Sequence, residues 1–183
     1  SSGTTAMWPG AALKESVTFA ATLDGGSAAD YRLYSSAFPT SAPSGNAVYA
    51  APGGGNNNSN AYYAGFGGAA APAAQTLLYP GQTGVTDAGE IAFGWRRVEI
   101  EVLAGTAYWR VDGLLIASTS LAGLTLGGGN ILFGHADTNS GSSADPNDSL
   151  LNVTLIDNIL VTPEPASLAL LALGGLALSR RRR

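Results

Sequence analysis

The chain has 183 residues and a mass of 18.4 kDa, which suits one domain. Only 12% of its residues are charged and 25 are glycine, a composition that excludes long-helix bundles and coiled coils, which need far more Glu, Lys and Arg. It has no cysteine and one histidine, His135, so disulfides, thiolate chemistry and multi-histidine metal centres are excluded. The formal net charge of −4 hides an asymmetry, because four of the nine basic residues are the terminal Arg180, Arg181, Arg182 and Arg183. Before Pro163, five basic residues stand against twelve acidic ones, a net −7. A body that acidic lacks the basic footprint for a phosphate backbone, and nucleic acid is not an expected partner.

In chain order, Lys14–Leu23 alternates apolar and small polar residues and reads as a strand. Short β-like runs follow at Tyr31–Ser35, Ala47–Ala50 and Ala61–Phe66. The stretch Ala51–Asn60, rich in Gly and Asn, reads as a loop without a regular element. Gln75–Tyr79 reads as a further short strand, stopped by Pro80-Gly81. From Trp95 to Ser118 the pattern is strongest. Val98, Ile100 and Val102 alternate with Arg97, Glu99 and Glu101, giving one buried and one wet face. Ala104-Gly105 reverses the chain, Thr106–Val111 returns, Asp112-Gly113 is a favoured two-residue hairpin turn, and Leu114–Ser118 makes a third strand. Asn130–Gly134 and Leu150–Val161 add two more strands around a polar loop. No segment before Pro163 keeps a helical apolar period. The expected body, residues 1–161, is all-β, a two-sheet antiparallel sandwich.

The tail, residues 162–183, is built differently. Pro163-Glu164-Pro165 breaks both helix and strand and makes a hinge. Ala166–Leu178 is then uniformly small and apolar, 13 residues that span about 20 Å as a helix against a hydrocarbon core of about 30 Å. Four arginines close the chain and would hold its end on the cytoplasmic side of a membrane. A buried core helix would instead be amphipathic, so a short C-terminal hydrophobic helix outside the fold is expected.

The Pro-Glu-Pro hinge, the short Ala/Leu/Gly run and the arginine cluster, in that order, resemble the PEP-CTERM sorting signal of exported bacterial proteins. The resemblance implies recognition by an exosortase, a membrane-embedded transpeptidase-like enzyme of Gram-negative bacteria that make exopolysaccharide. It also implies transient membrane insertion through the C-terminal segment, with a destination in the envelope or extracellular matrix. Precursors of this kind carry an N-terminal signal peptide. The chain opens Ser1-Ser2-Gly3 instead, and a truncated start is the expectation. The body resembles laminin-G-like, concanavalin-type jelly-roll domains through Asn46–Gly67, Gln82-Thr83-Gly84, Trp95 to Gly113, Asn130–Asp137 and Asp157–Val161. The expected body is a non-enzymatic, lectin-like sandwich, with exopolysaccharide as the leading candidate partner.

The candidate chemistry is sparse. Glu99 and Glu101, two apart on one strand, share a face as the carboxylates of jelly-roll glycoside hydrolases do, but Val102, Leu103 and Ala104 follow where a third acid belongs. A solvated strand face is the expected reading, and a glycan-cleaving enzyme is the rival. His135 has no Gly-x-Ser-x-Gly partner motif and reads as a loop residue at a strand end. The segment Asp137–Asp148 places hard oxygen ligands at short spacing. Asp137, Asn139 and Asp145 are the candidate calcium ligands, with a plain surface loop as the alternative. Tyr49, Tyr62, Tyr63 and Tyr79, near Gly/Asn loops, are candidates for stacking on sugars or for core packing. A purely structural matrix protein is the third class of function that the residues allow.

Overall fold

The structure is a computed structural model that describes residues 3–8, 18–22, 31–34, 46–80, 85–86, 88–91, 93–123, 133–139 and 154–162. These residues are mostly strand. Strands β1 (Gly3–Trp8), β2 (Thr18–Thr22), β3 (Tyr31–Tyr34) and β4 (Val48–Tyr49) precede a helix, α1 (Ala73–Leu78). Strands β5 (Val98–Leu103), β6 (Thr106–Val111), β7 (Leu114–Ser120) and β8 (Gly134–Asn139) follow it. One four-stranded antiparallel sheet has the order β4-β7-β6-β5, and the other has the order β3-β2-β1-β8.

The β5-β6-β7 meander is the one the alternation predicts. Ala104 and Gly105 turn the chain with φ of 48° and 76°, and Asp112 and Gly113 do so with 50° and 83°. Positive φ at both central residues is what a type I′ hairpin requires, and it matches the twist of the flanking strands. Val98, Ile100 and Val102 pair with Val111, Trp109 and Ala107 on the inner face. Glu99 and Glu101 pair with Arg110 and Tyr108 on the outer face.

The inner face continues across β7 by way of a bulge. Trp109 pairs with Ala117 and Arg110 with Leu115, so Ile116 is an extra residue in β7. An extra residue shifts the side-chain alternation by one. Leu114 and Ile116 therefore reach the core before the bulge, and Ala117 and Thr119 after it. The Ile116 carbonyl accepts the Ala50 amide at 3.0 Å, which anchors the chain leaving β4.

Trp109 is the centre of the core, fully buried with Tyr63, Leu33, Val111 and Ile116. Tyr31 and Leu33 come from β3, the edge of the other sheet, and Tyr31 meets Trp109 edge-on at 5.9 Å and Tyr63 at 4.3 Å. Each such aromatic pair contributes roughly 0.5–1.5 kcal/mol beyond its buried area. Tyr31 is also held by its ends. Its amide donates to the Asn56 carbonyl at 3.0 Å and its hydroxyl donates to the Gly89 carbonyl.

Several sequence expectations are corrected. Ala61–Phe66 is not a strand: Asn60 Oδ1 accepts the Tyr62 amide at 2.9 Å and caps a 3₁₀ turn over Ala61–Tyr63. Gln75–Tyr79 is not a strand either. The Ala, Gln and Leu content of Ala73–Leu78 favours helix, and Pro72 sits at its start where the missing N–H costs nothing. Ala51–Asn60 holds a 3₁₀ turn at Pro52–Gly54, closed by an Ala51–Gly55 bridge. The strand expected over Lys14–Leu23 is seen at Thr18–Thr22, with 14–17 and 23 outside the described residues. Of the strand expected at Asn130–Gly134, 130–132 lie outside the described residues, Phe133 is not in a strand, and Gly134 opens β8. Within the expected strand Leu150–Val161, residues 154–161 form no strand, and Asn158 takes a left-handed φ of 54° that breaks an extended run. Strand β1 was not foreseen. The apolar helix expected after Pro165 lies outside the described residues.

Candidate functional site

Glu99 and Glu101 lie on the outer face of β5, and each carboxylate is occupied by a guanidinium. Arg97 Nη2 donates to Glu99 Oε1 at 2.7 Å, and Arg110 Nη1 donates to Glu101 Oε2 at 2.8 Å. The Arg110 guanidinium also lies 5.6 Å from the Tyr108 ring centre, so acid, base and aromatic form one row over two strands. All of it faces water, where such pairs are worth about 0–1 kcal/mol each. Among the described residues, no group of three or more His, Asp or Glu side chains could hold a metal ion.

At the end of that face, Asp112 carries three bonds. Its amide donates to the Arg97 carbonyl at 2.8 Å, its Oδ1 accepts the Arg97 amide at 2.8 Å, and its Oδ2 accepts Arg96 Nη1 at 3.0 Å. Arg96 in turn lies 5.4 Å over the Phe66 ring, and its buried Nε has no partner among the described residues. Just before this clamp in the chain come two exposed aromatics. Trp95 is 71% exposed, and Phe93, at a left-handed φ of 57°, is 45% exposed. The sequence pattern includes Trp95 at the head of the strand stretch and carries no mark of Phe93. A tryptophan just outside the alternating stretch, followed by two arginines, was the available signal.

The four candidate tyrosines separate. Tyr63 is fully buried, donates to the Gly55 carbonyl at 2.9 Å, and packs on Tyr62 at 5.2 Å. Burial pushes its phenol well above the ordinary tyrosine range, with Tyr62 and Tyr49 adding to the effect. It is a core residue and not a surface platform. Tyr62 is half-buried and donates to the Leu115 carbonyl at 2.8 Å, pinning the 3₁₀ turn to β7. Tyr49 and Tyr79 are also half-buried.

The expected calcium loop is partly strand. Asp137 pairs with Thr4 and Asn139 with Gly3 in the β1–β8 ladder, across an irregularity that leaves Thr138 as the extra residue. Asp145 lies outside the described residues, as do Pro163, Glu164, Pro165 and Arg180–Arg183. His135 pairs with Ala6 inside β8 and not in a loop. Glu90, not singled out in the sequence, is buried at 5% exposure and engaged.

Residues 161–183 match the PEP-CTERM protein-sorting motif. No curated protein and no solved structure matches the chain. The motif implies an exported protein, sorted to the cell surface and processed by an exosortase. Among the described residues no helix is long and apolar enough to cross a membrane.

Proposed function

We propose that the protein is an exosortase-sorted surface protein whose body is a concanavalin- or laminin-G-like jelly-roll that binds exopolysaccharide without cleaving it. The sorting motif at 161–183 carries the first half of this reading. The jelly-roll assignment rests on two antiparallel four-stranded sheets, on β3 contributing to the core of the other sheet, and on the first and last of the described strands, β1 and β8, pairing. Trp95 supports the glycan half, because an indole 71% exposed offers a stacking face and stands in the chain directly before Arg96 and Arg97, whose guanidiniums pair with Asp112 and Glu99. The non-catalytic reading is supported by Glu99 and Glu101, each of which is engaged by an arginine on the exposed outer face of β5.

Two measurements test the reading. In a host with an exosortase, the precursor is expected to lose mass near Pro163–Pro165, and Glu164→Ala to slow that loss. Retention of the arginines in the mature protein would refute sorting. On an array of bacterial exopolysaccharides and β-glucans, the intact protein is expected to bind at least one polymer and Trp95→Ala to lose it. Hydrolysis of such a polymer, abolished in Glu99→Gln or Glu101→Gln, would establish the enzyme instead.

A further inference from the structure

Where the sorting motif begins, the chain exposes apolar side chains in a row, from Leu155 to the motif's first residue, Val161. Leu155 is 71% exposed, Ile156 41%, Ile159 58%, Leu160 82% and Val161 68%, and none of them lies in a strand. Single exposed leucines are ordinary on a protein surface, but five in seven consecutive residues are not. Asp157 is the one charged side chain among them.

The chain length beyond this segment limits what can cover it. Only Thr162, Pro163, Glu164 and Pro165 separate Val161 from Ala166, where the apolar run of the tail begins. Fully extended, that link reaches about 18 Å and in any other conformation less. The headgroup layer on each side of a bilayer is only about 5–8 Å deep. Once Ala166–Leu178 enters the membrane, Val161 is therefore held within about 18 Å of the hydrocarbon edge, in the headgroup layer or the water just above it, and the residues back to Leu155 are within reach of the same layer. An apolar row tethered there is adjacent to a surface that can take it up.

We propose that Leu155–Val161 docks on the lipid surface of the membrane that receives the tail, lying in the interfacial plane and holding the body against the bilayer while the hinge is presented for processing. This rests on the reading of the tail as a membrane-targeted sorting signal. The contact is apolar and not electrostatic. The body has a net charge of −7, the segment itself carries Asp157, and Glu164 follows it, so anionic lipid offers no attraction. Uptake is expected on zwitterionic lipid and to be insensitive to salt, unlike that of a basic amphipathic segment.

The chain has no cysteine, so a single introduced cysteine carries a single label. The full chain is reconstituted with phosphatidylcholine vesicles containing headgroup-level or acyl-level nitroxide quenchers, and an environment-sensitive fluorophore is placed in turn at Leu155→Cys, Leu160→Cys, Leu171→Cys and Val48→Cys. Val48 is 64% exposed on the β4 edge and reports the free body. Labels at 155 and 160 are expected to shift to the blue and be quenched from the headgroup level, unchanged between low and high salt, with 171 quenched from the acyl level and 48 by neither. Adding Ile156→Asp with Ile159→Asp is expected to return the label at 160 to its aqueous signal while the label at 171 stays deep. If 171 is deep but 155 and 160 behave as 48 does, the docking is refuted and the sorting reading stands. If 171 stays aqueous, both fail together. Concentration-dependent energy transfer between labels at 160 in lipid-free solution, with no change on adding vesicles, would show a second copy covering the segment and overturn the proposal.

Discussion

Asp112 and Arg97 are joined twice just ahead of β5: the Asp112 amide donates to the Arg97 carbonyl, and the Asp112 carboxylate accepts the Arg97 amide, both at 2.8 Å. One residue thus serves as a turn former, as a strand partner and, through Arg96, as one end of an ion pair. The left-handed φ of 50° is tolerable because a short polar side chain can bond locally, which alanine cannot do. Asp112→Ala is expected to cost about 2–3 kcal/mol, from roughly 1–2 kcal/mol of backbone preference plus about 1 kcal/mol of lost hydrogen bonding. Asp112→Asn keeps the turn and an acceptor for the Arg97 amide, and is expected to cost less than half as much. Urea midpoints at unchanged slope measure both.

Two glycines at similar φ are expected to respond very differently to alanine. At Gly89, φ 84°, an added Cβ would lie 2.2 Å from the Asn58 carbonyl oxygen, and the Gly89 carbonyl is where the Tyr31 hydroxyl donates. At Gly105, φ 76°, an added Cβ meets nothing within 4 Å. Gly105→Ala should cost only the backbone term of about 1–2 kcal/mol. Gly89→Ala must also displace backbone from the Tyr31–Trp109 core, and a loss above about 3 kcal/mol is expected. Thermal melts of the two variants side by side decide it, and equal shifts would contradict the close approach at Gly89.

Tyr63 makes stability depend on alkaline pH. Its phenol is raised in the folded protein above the unfolded value of about 10, so above that pH the unfolded chain releases a proton that the folded chain keeps. Fewer protons on the unfolded state means that stability falls as pH rises. The stabilisation is whole below about pH 10 and is lost progressively above it. Urea unfolding from pH 8 to 11 is expected to show this decline, with a shallower slope in Tyr63→Phe, which also gives up the bond to Gly55.

The outer row of β5 and β6 should contribute little to stability. Glu101→Gln is expected to change it by less than about 1 kcal/mol, and by less still in high salt, because the pair with Arg110 is exposed. Arg110→Ala is expected to cost more, since the same side chain also covers the Tyr108 ring. A double-mutant cycle between Glu101 and Arg110 isolates the pair from that packing.

The meander from Val98 to Ser120 was legible in the sequence because every signal in it is local. Alternation assigns the two faces, and Ala104-Gly105 and Asp112-Gly113 mark the turns. The shorter apolar runs were not legible in this way. Six residues such as Ala73–Leu78 satisfy a buried strand and a helical turn equally well, and only intrinsic preference separates them. The capped turn at Ala61–Tyr63 depended on Asn60, a residue that reads as generic loop until its amide partner is seen. For the tail, the order of hinge, apolar run and arginines sufficed, since a signal read by an enzyme has to be written in consecutive residues.

By itself, then, the sequence determined the wet and dry faces of the meander, its turns and the sorting motif, all of which are encoded within a few residues of one another. Tertiary structure alone decided that Tyr63 is core while Trp95 is surface, that Ile116 shifts the phase of β7, and that β1 closes on β8. Those outcomes depend on contacts between residues far apart in the chain, Tyr31 with Gly89 and Trp109 among them. A period of two states which side chains share a face, and only the opposing surface determines whether that face is covered.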